Sequence, residues 1–253
     1  MPRLSVNVNK VATLRNARGG TVPSVIQAVR VCLEAGAPGI TVHPRADNRH
    51  ITLDDVREVA AELAALRGRI EYNIEGDPRP DLMSVVERVR PDQCTLVPVM
   101  PGERTSQAGW RIDRPVPALA HAIGVLHAAG VRVSLFVEPE QAAIDWAAAL
   151  GADRVELYTE PYARAFERGG ADLERSLARY TAAAGHAHAR GLGVNAGHDL
   201  DLANLPRFAA VPYVAEVSIG HALISHALFV GLGRSVREFM VAAAGGAGVS
   251  SRE

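Results

Sequence analysis

The 253-residue chain contains a single lysine, Lys10; every other basic residue is arginine. It has only two cysteines, Cys32 and Cys94, far apart in apolar segments. That reads as two buried thiols in a reducing cytoplasm, not as a disulfide or a metal pair. No apolar run reaches the length of a membrane span, so none is expected. Met1 to Lys10 reads as a strand and lacks the layout of a signal peptide. An excess of either charge is also missing. With 27 basic and 28 acidic residues the net charge is -1, so the chain has no basic field for non-specific nucleic-acid binding. A metal site is not expected either. His186 and His188 are two apart on a helical pattern and face differently, and no E-x-x-H pair occurs. His121, His127 and His226 lie on helical stretches and read as surface or packing residues.

What is present is enough for a core. Apolar residues make up 48% and charged residues 22% of the chain, an ordinary globular balance. A chain of this length buries roughly three quarters of its unfolded surface. Four segments share one pattern: 35–45, 129–139, 150–161 and 190–199. Each has a glycine suited to a helix C-cap (Gly36, Gly130, Gly151, Gly191), then a β-branched or Leu-rich run, then polar residues. Leu4–Val8, Ile70–Ile74, Gln93–Val97 and Glu216–Ile219 complete eight strands.

Helical patterns fall between them: Ser24–Ala35, Thr52–Leu66, Pro80–Val89, Ala118–Ala129, Pro139–Leu150, Asp172–Arg190, a short one near Asp201–Ala209, and Leu223–Ala243. Thr52 followed by Asp54 and Asp55 is a capped start, and Pro80 suits a first helical position. Eight alternations predict an α/β fold, a single-domain (β/α)8 TIM barrel over residues 1–244 with a flexible tail at 245–253. An open doubly wound sheet is the alternative. It would usually carry G-x-G-x-x-G after an early strand, whereas Gly231-Leu232-Gly233 comes late, inside a helical pattern.

In such a barrel chemistry sits at the C-terminal ends of the strands. Those ends carry Asn7, Asn9 and Lys10; His43 and Arg45; Glu75; Thr105 in a loop; Glu138; Glu156; Asn195 and His198; and Gly220 and His221. His43 followed by Arg45, Arg49 and His50 suggests an acid/base group beside an anion clamp, because the planar guanidinium suits phosphate. Glu75 reads as a general base; Glu71, four residues earlier, falls near the barrel bottom or outside. Gly197-His198 and Gly220-His221 suit a phosphate site built on backbone N–H groups. Arg18-Gly19-Gly20 suits a second anion loop.

VNVNKVATLRNARGG (6–20), GITVHPRADNRHI (39–51), NIEG (73–76), TLVP (95–98), VNAGH (194–198) and SIGHALI (218–224) together resemble the pyridoxine 5'-phosphate synthase family, in order and spacing, over nearly the whole chain. The resemblance implies a cytoplasmic, octameric enzyme that needs no metal or organic cofactor. It would condense 1-deoxy-D-xylulose 5-phosphate with 3-amino-2-oxopropyl phosphate, releasing pyridoxine 5'-phosphate, phosphate and water. It implies that His43 and Glu75 accept protons, that His198 donates one and that Glu156 assists. Arg45, His50 and Thr105 resemble ligands of the deoxyxylulose phosphate. Asn7, Arg18, Asp199, Gly220 and His221 resemble the aminoketone phosphate site, with Asp199 replacing a glycine common there. Asn9-Lys10 departs from the commonest Asp-His form and matches a branch of the family.

The lone lysine has three readings: drift from arginine, a charged donor to the deoxyxylulose phosphate, or a Schiff-base amine. The donor reading is preferred, because the aminoketone brings its own amine. Two rival activities are a phosphosugar isomerase or aldolase, for which Lys10 is the only available lysine, and a barrel that merely binds a phosphate metabolite.

Overall fold

The computed structural model describes residues 1–99, 108–113 and 116–246. In chain order the elements are β1 (Arg3–Asn7), α1 (Asn9–Asn16), α2 (Val25–Glu34), β2 (Gly39–Val42), α3 (Leu53–Leu63), β3 (Glu71–Gly76), α4 (Pro80–Val89), β4 (Gln93–Leu96), α5 (Pro117–Ala128), β5 (Arg132–Val137), α6 (Gln141–Ala149), β6 (Arg154–Tyr158), α7 (Glu160–Arg168), α8 (Gly170–Ala189), β7 (Gly193–Gly197), α9 (Leu205–Phe208), β8 (Val214–Ile219), α10 (His221–Val230) and α11 (Leu232–Ala243). All eight strand pairings are parallel, and β8 closes on β1 through Ser218 opposite Ser5. The fold is the expected (β/α)8 barrel.

Local signals explain many of the boundaries. Ser24 caps α2 by accepting from the Gln27 N–H at 3.2 Å. Thr52 and Asp55 form a reciprocal capping box at the start of α3. The four glycines that precede β2, β5, β6 and β7 all adopt positive φ, which ends one helix and aims the chain into the next strand.

Three expectations are corrected. Met1–Lys10 is not all strand: β1 ends at Asn7, Val8 turns the chain, and Asn9 and Lys10 open α1. The segment 9–16 has neither proline nor glycine to oppose a helix. A further helix, α7, follows β6, with Pro161 in its first turn, where a missing N–H costs nothing. The long C-terminal helical pattern is two helices, because Gly231 breaks it with φ 85°. Tail residues 247–253 lie outside the described residues. The thiols of Cys32 and Cys94 are both free and buried, and burial pushes each up to about 12. Among the described residues no helix is long and apolar enough to cross a membrane.

The barrel interior is not the apolar stack that usually fills this fold. One rank of each strand, including Leu4, Val6, Ile40, Val42, Leu135, Val155 and Val217, belongs to the main apolar core cluster with the helices. The alternate rank is largely polar, and many of its side chains hydrogen-bond to one another in the lumen. Ser5 Oγ meets Thr41 Oγ1 at 2.6 Å, and Thr95 Oγ1 donates to Asn73 Oδ1 at 3.0 Å. Asn195 Nδ2 of β7 reaches Gln93 Oε1 of β4 at 3.3 Å. At the base Arg132 Nη2 pairs with Glu71 Oε1 at 2.6 Å. Burial and the Glu71 carboxylate push Glu216 up to about 8. Glu71 is therefore a base-of-barrel residue, as its register implies.

Candidate active site

The alternation that places Glu71 and Asn73 inside the barrel carries Glu75 to its upper end. There Glu75 Oε2 lies 3.6 Å from His43 Nδ1, and both side chains are about nine-tenths buried. Ser218 Oγ, from β8 across the lumen, donates to Glu75 Oε1 at 3.3 Å. His43 Nε2 is buried with no hydrogen-bond partner among the described residues. A buried polar atom normally has a partner, so this nitrogen is placed for a ligand.

The His43 backbone is held from α1: Asn9 Oδ1 accepts its N–H at 2.9 Å, and Asn7 Oδ1 accepts the Asn9 N–H at 3.0 Å. Gly220 closes on the same residues, since a Cβ there would lie 3.0 Å from the Asn7 carbonyl oxygen. Arg79 Nη2 donates to the Pro44 carbonyl at 2.8 Å, and Asn16 Nδ2 donates to the His50 carbonyl at 2.8 Å. These two side chains fasten both ends of the loop that carries His43, Arg45 and His50. Neither Asn16 nor Arg79 stands out in the sequence, because each acts on a backbone atom remote in the chain.

Arg45 is buried within this loop. Burial, and then the charges of His43, Arg45, Lys10 and Arg49, lower His50 to about 3. The imidazole is neutral at physiological pH, and cations surround it. Such a pocket favours an anion. Its Nδ1 is likewise buried without a hydrogen-bond partner among the described residues.

His198 follows β7. Its ring packs on Phe136 and Tyr158, with centroids 5.1 and 5.4 Å away. Burial holds its pKa below the ordinary imidazole range, against the opposing pull of Glu75 and Asp199. Glu156 lies inside the barrel, 4% exposed. Burial first, then the Glu75 and Glu216 charges, push its carboxyl well above the usual range. Both causes favour the protonated carboxyl, the form that can donate. At Gly197 a Cβ would come within 2.4 Å of Glu156 Oε1, so this glycine makes room for a carboxyl group. This steric demand stands beside the backbone approach to phosphate expected of Gly197-His198.

The remaining expected residues are dispersed. Gly220 and His221 start α10, with His221 exposed. Asp199 is exposed at φ 55°. Arg18 is exposed in the turn after α1. Asn195 belongs to the lumen network, and Glu138 Oε1 accepts from the Gly109 N–H at 3.1 Å, holding a loop. Thr105 lies outside the described residues.

The family model for "Pyridoxal phosphate biosynthesis protein PdxJ" matches residues 4–244. The chain belongs to the PdxJ family. Pyridoxine 5'-phosphate synthase of Porphyromonas gingivalis is 49% identical over 240 residues, covering 94% of this chain and 98% of that protein. The Xanthomonas axonopodis pv. citri enzyme of the same name is 52% identical over 246 residues, covering 94% and 95%. PdxJ membership makes the chain an enzyme of vitamin B6 biosynthesis, with pyridoxine 5'-phosphate synthesis as its activity. Among solved structures, phosphoribosyl anthranilate isomerase from Thermotoga maritima superposes with a TM-score of 0.60 at 14% identity, covering 97% of this chain and all of that one. That likeness shows the barrel fold alone.

Proposed function

We propose that this PdxJ chain condenses 1-deoxy-D-xylulose 5-phosphate with 3-amino-2-oxopropyl phosphate, through proton transfers shared by His43, Glu75 and His198. The observation that carries the reading is the His43–Glu75 pair, 3.6 Å apart at the barrel mouth, with His43 Nε2 buried and unpartnered among the described residues. The amine of one substrate attacks the ketone of the other, and loss of water leaves an imine. A proton α to that imine is then removed, phosphate is expelled, a carbon–carbon bond closes the ring, and further loss of water gives the aromatic pyridine. Each transfer needs a group that gives and takes a proton near neutrality.

Glu75 has a carboxylate supported by Ser218 and adjoining His43, which suits proton abstraction. Burial favours the neutral form of His198. A group so biased collects a proton before it donates one, and we assign it the part of a shuttle. Glu156, whose burial favours the protonated form, is the group that assists from below. One such group contributes roughly 10²–10⁴ in rate.

Arg45, His50, Thr105 and Lys10 take the phosphate of the deoxyxylulose substrate, with Asn9 anchoring the His43 backbone. Asn7, Arg18, Asp199, Gly220 and His221 take the aminoketone phosphate, with the N–H groups opening α10 aimed at an anion. Two anchored phosphates orient both substrates, which can lower the barrier by roughly 7–11 kcal/mol. In this reading the enzyme uses no metal or organic cofactor and works in the cytoplasm as a homo-octamer. The exposure of Leu228 and Phe229 on α10, at 71% and 87%, supports self-association.

The test is to mix purified protein with both phosphorylated substrates. Pyridoxine 5'-phosphate and inorganic phosphate are expected in equal amounts, and neither when one substrate is omitted. Turnover of a single substrate without a pyridine product would replace this reading with an isomerase or aldolase.

A further inference from the structure

Thr159 occupies the N-cap of α7, where a threonine hydroxyl ordinarily accepts from the first-turn N–H groups. It makes no such bond. Its Oγ1 instead donates to the Gly197 carbonyl at 2.6 Å and also contacts the His198 carbonyl, while its own N–H donates to the Gly197 carbonyl at 3.0 Å. The residue is fully buried.

The carbonyls that it binds belong to an unusual turn. His198 and Asp199 both hold positive φ, 84° and 55°, although each carries a Cβ. Such a conformation persists only when its surroundings hold it. Asn204 Nδ2 holds the far side, donating to the Asp199 carbonyl at 3.0 Å. Thr159 holds the near side. Between them the imidazole of His198 is carried onto the Phe136–Tyr158 platform, just beyond the C-terminal end of β7.

We propose that Thr159 is the positioning residue of His198: its single hydroxyl hydrogen, shared by the carbonyls of residues 197 and 198, holds the left-handed turn that presents the imidazole to the substrates. The inference rests on the reading of His198 as the proton shuttle. The helix gives up a side-chain cap of its own, and the proton-transfer group gains a fixed position.

Thr159→Val keeps the shape and removes the donor; Thr159→Ser keeps the donor. The Val variant should lose about 10–100-fold in kcat, since a small misplacement of a reacting group costs about that much, with KM for both substrates within about twofold. Ser should restore most of the rate. The His198 imidazole, titrated by NMR, should move back toward its ordinary pKa in the Val variant and not in the Ser variant. Normal kcat in Thr159→Val, an equal loss in the Ser variant, or a defect confined to KM would each overturn the proposal. If Val prevents folding, Thr159→Ala is judged by the same three criteria. His198→Asn separates the two layers of the argument. Full turnover in that variant removes the shuttle reading itself, whereas a dead His198→Asn beside a normal Thr159→Val removes only the role of Thr159.

Discussion

Gly197 and Glu156 share one volume: a Cβ on residue 197 would stand 2.4 Å from the carboxyl oxygen of residue 156. Gly197→Ala should therefore displace the buried acid, lower the melting temperature and cost roughly 1–3 kcal/mol as an overpacked site. The same substitution in a Glu156→Ala background should cost less, because the space is then free. Thermal melts of the four proteins check this, and an equal cost in both backgrounds would show that the two residues do not compete for space.

Glu75 and Glu71 lie on one strand and one face, yet one sits at the mouth and the other at the base. Glu75→Gln should cut turnover by roughly 10²–10⁴ with the melt unchanged. Glu71→Gln, which breaks the pair with Arg132, should instead lower stability by about 1–3 kcal/mol and leave turnover within a few-fold. Steady-state rates and denaturant unfolding on both variants separate them. The opposite pattern would mean that the catalytic carboxylate is Glu71.

His50 is held neutral down to about pH 3 in the fold, whereas an unfolded histidine takes its proton near pH 6.5. The unfolded chain thus binds more protons between those values. Its contribution to stability is complete above about pH 6.5 and is lost as the pH falls toward 3. His50→Gln should flatten that part of the stability curve. An unchanged acid slope in the variant would show that His50 does not titrate in this window.

Lys10 lies in the first turn of α1, close enough for its charge to depress His50. If the compact ammonium binds phosphate, Lys10→Arg should lose most activity, and Lys10→His with Asn9→Asp should recover part of it. Borohydride added with the deoxyxylulose phosphate alone should leave no adduct. A reduced substrate on Lys10 would establish a Schiff base instead, and full activity in Lys10→Arg would leave the lysine without a special role.

The barrel was legible because its signals are local and repeated: a glycine, an apolar run, then a polar strand end. His43, Glu75 and His198 were legible for the same reason, as each closes a strand. Two helices were not. α1 directly follows β1 with a turn at Val8, and α7 begins at a threonine whose cap is spent elsewhere. Asn9 was readable as a strand-end polar group, but its bond to the His43 backbone spans residues far apart in sequence. The supports Asn16, Arg79, Thr159 and Ser218 share that property. Each touches a partner from another strand or loop, so no spacing along the chain announces it. The polar lumen was hidden in a different way. Apolar neighbours in each strand mask the alternation, and a closed barrel buries both ranks.

That lumen also bears on how the chain reaches its one arrangement. In a barrel lined with aliphatic side chains, a strand displaced by one residue would exchange one greasy face for another. Here it would push Val6 or Ile40 among serines and asparagines and press Ser5 or Thr41 against the helices. The donors paired around the ring would lose their acceptors together. The hydrogen-bonded interior thus works as a proofreader of strand alignment, tolerant of none but the native pairing, and it guards the spacing on which the mouth depends from a position well below it.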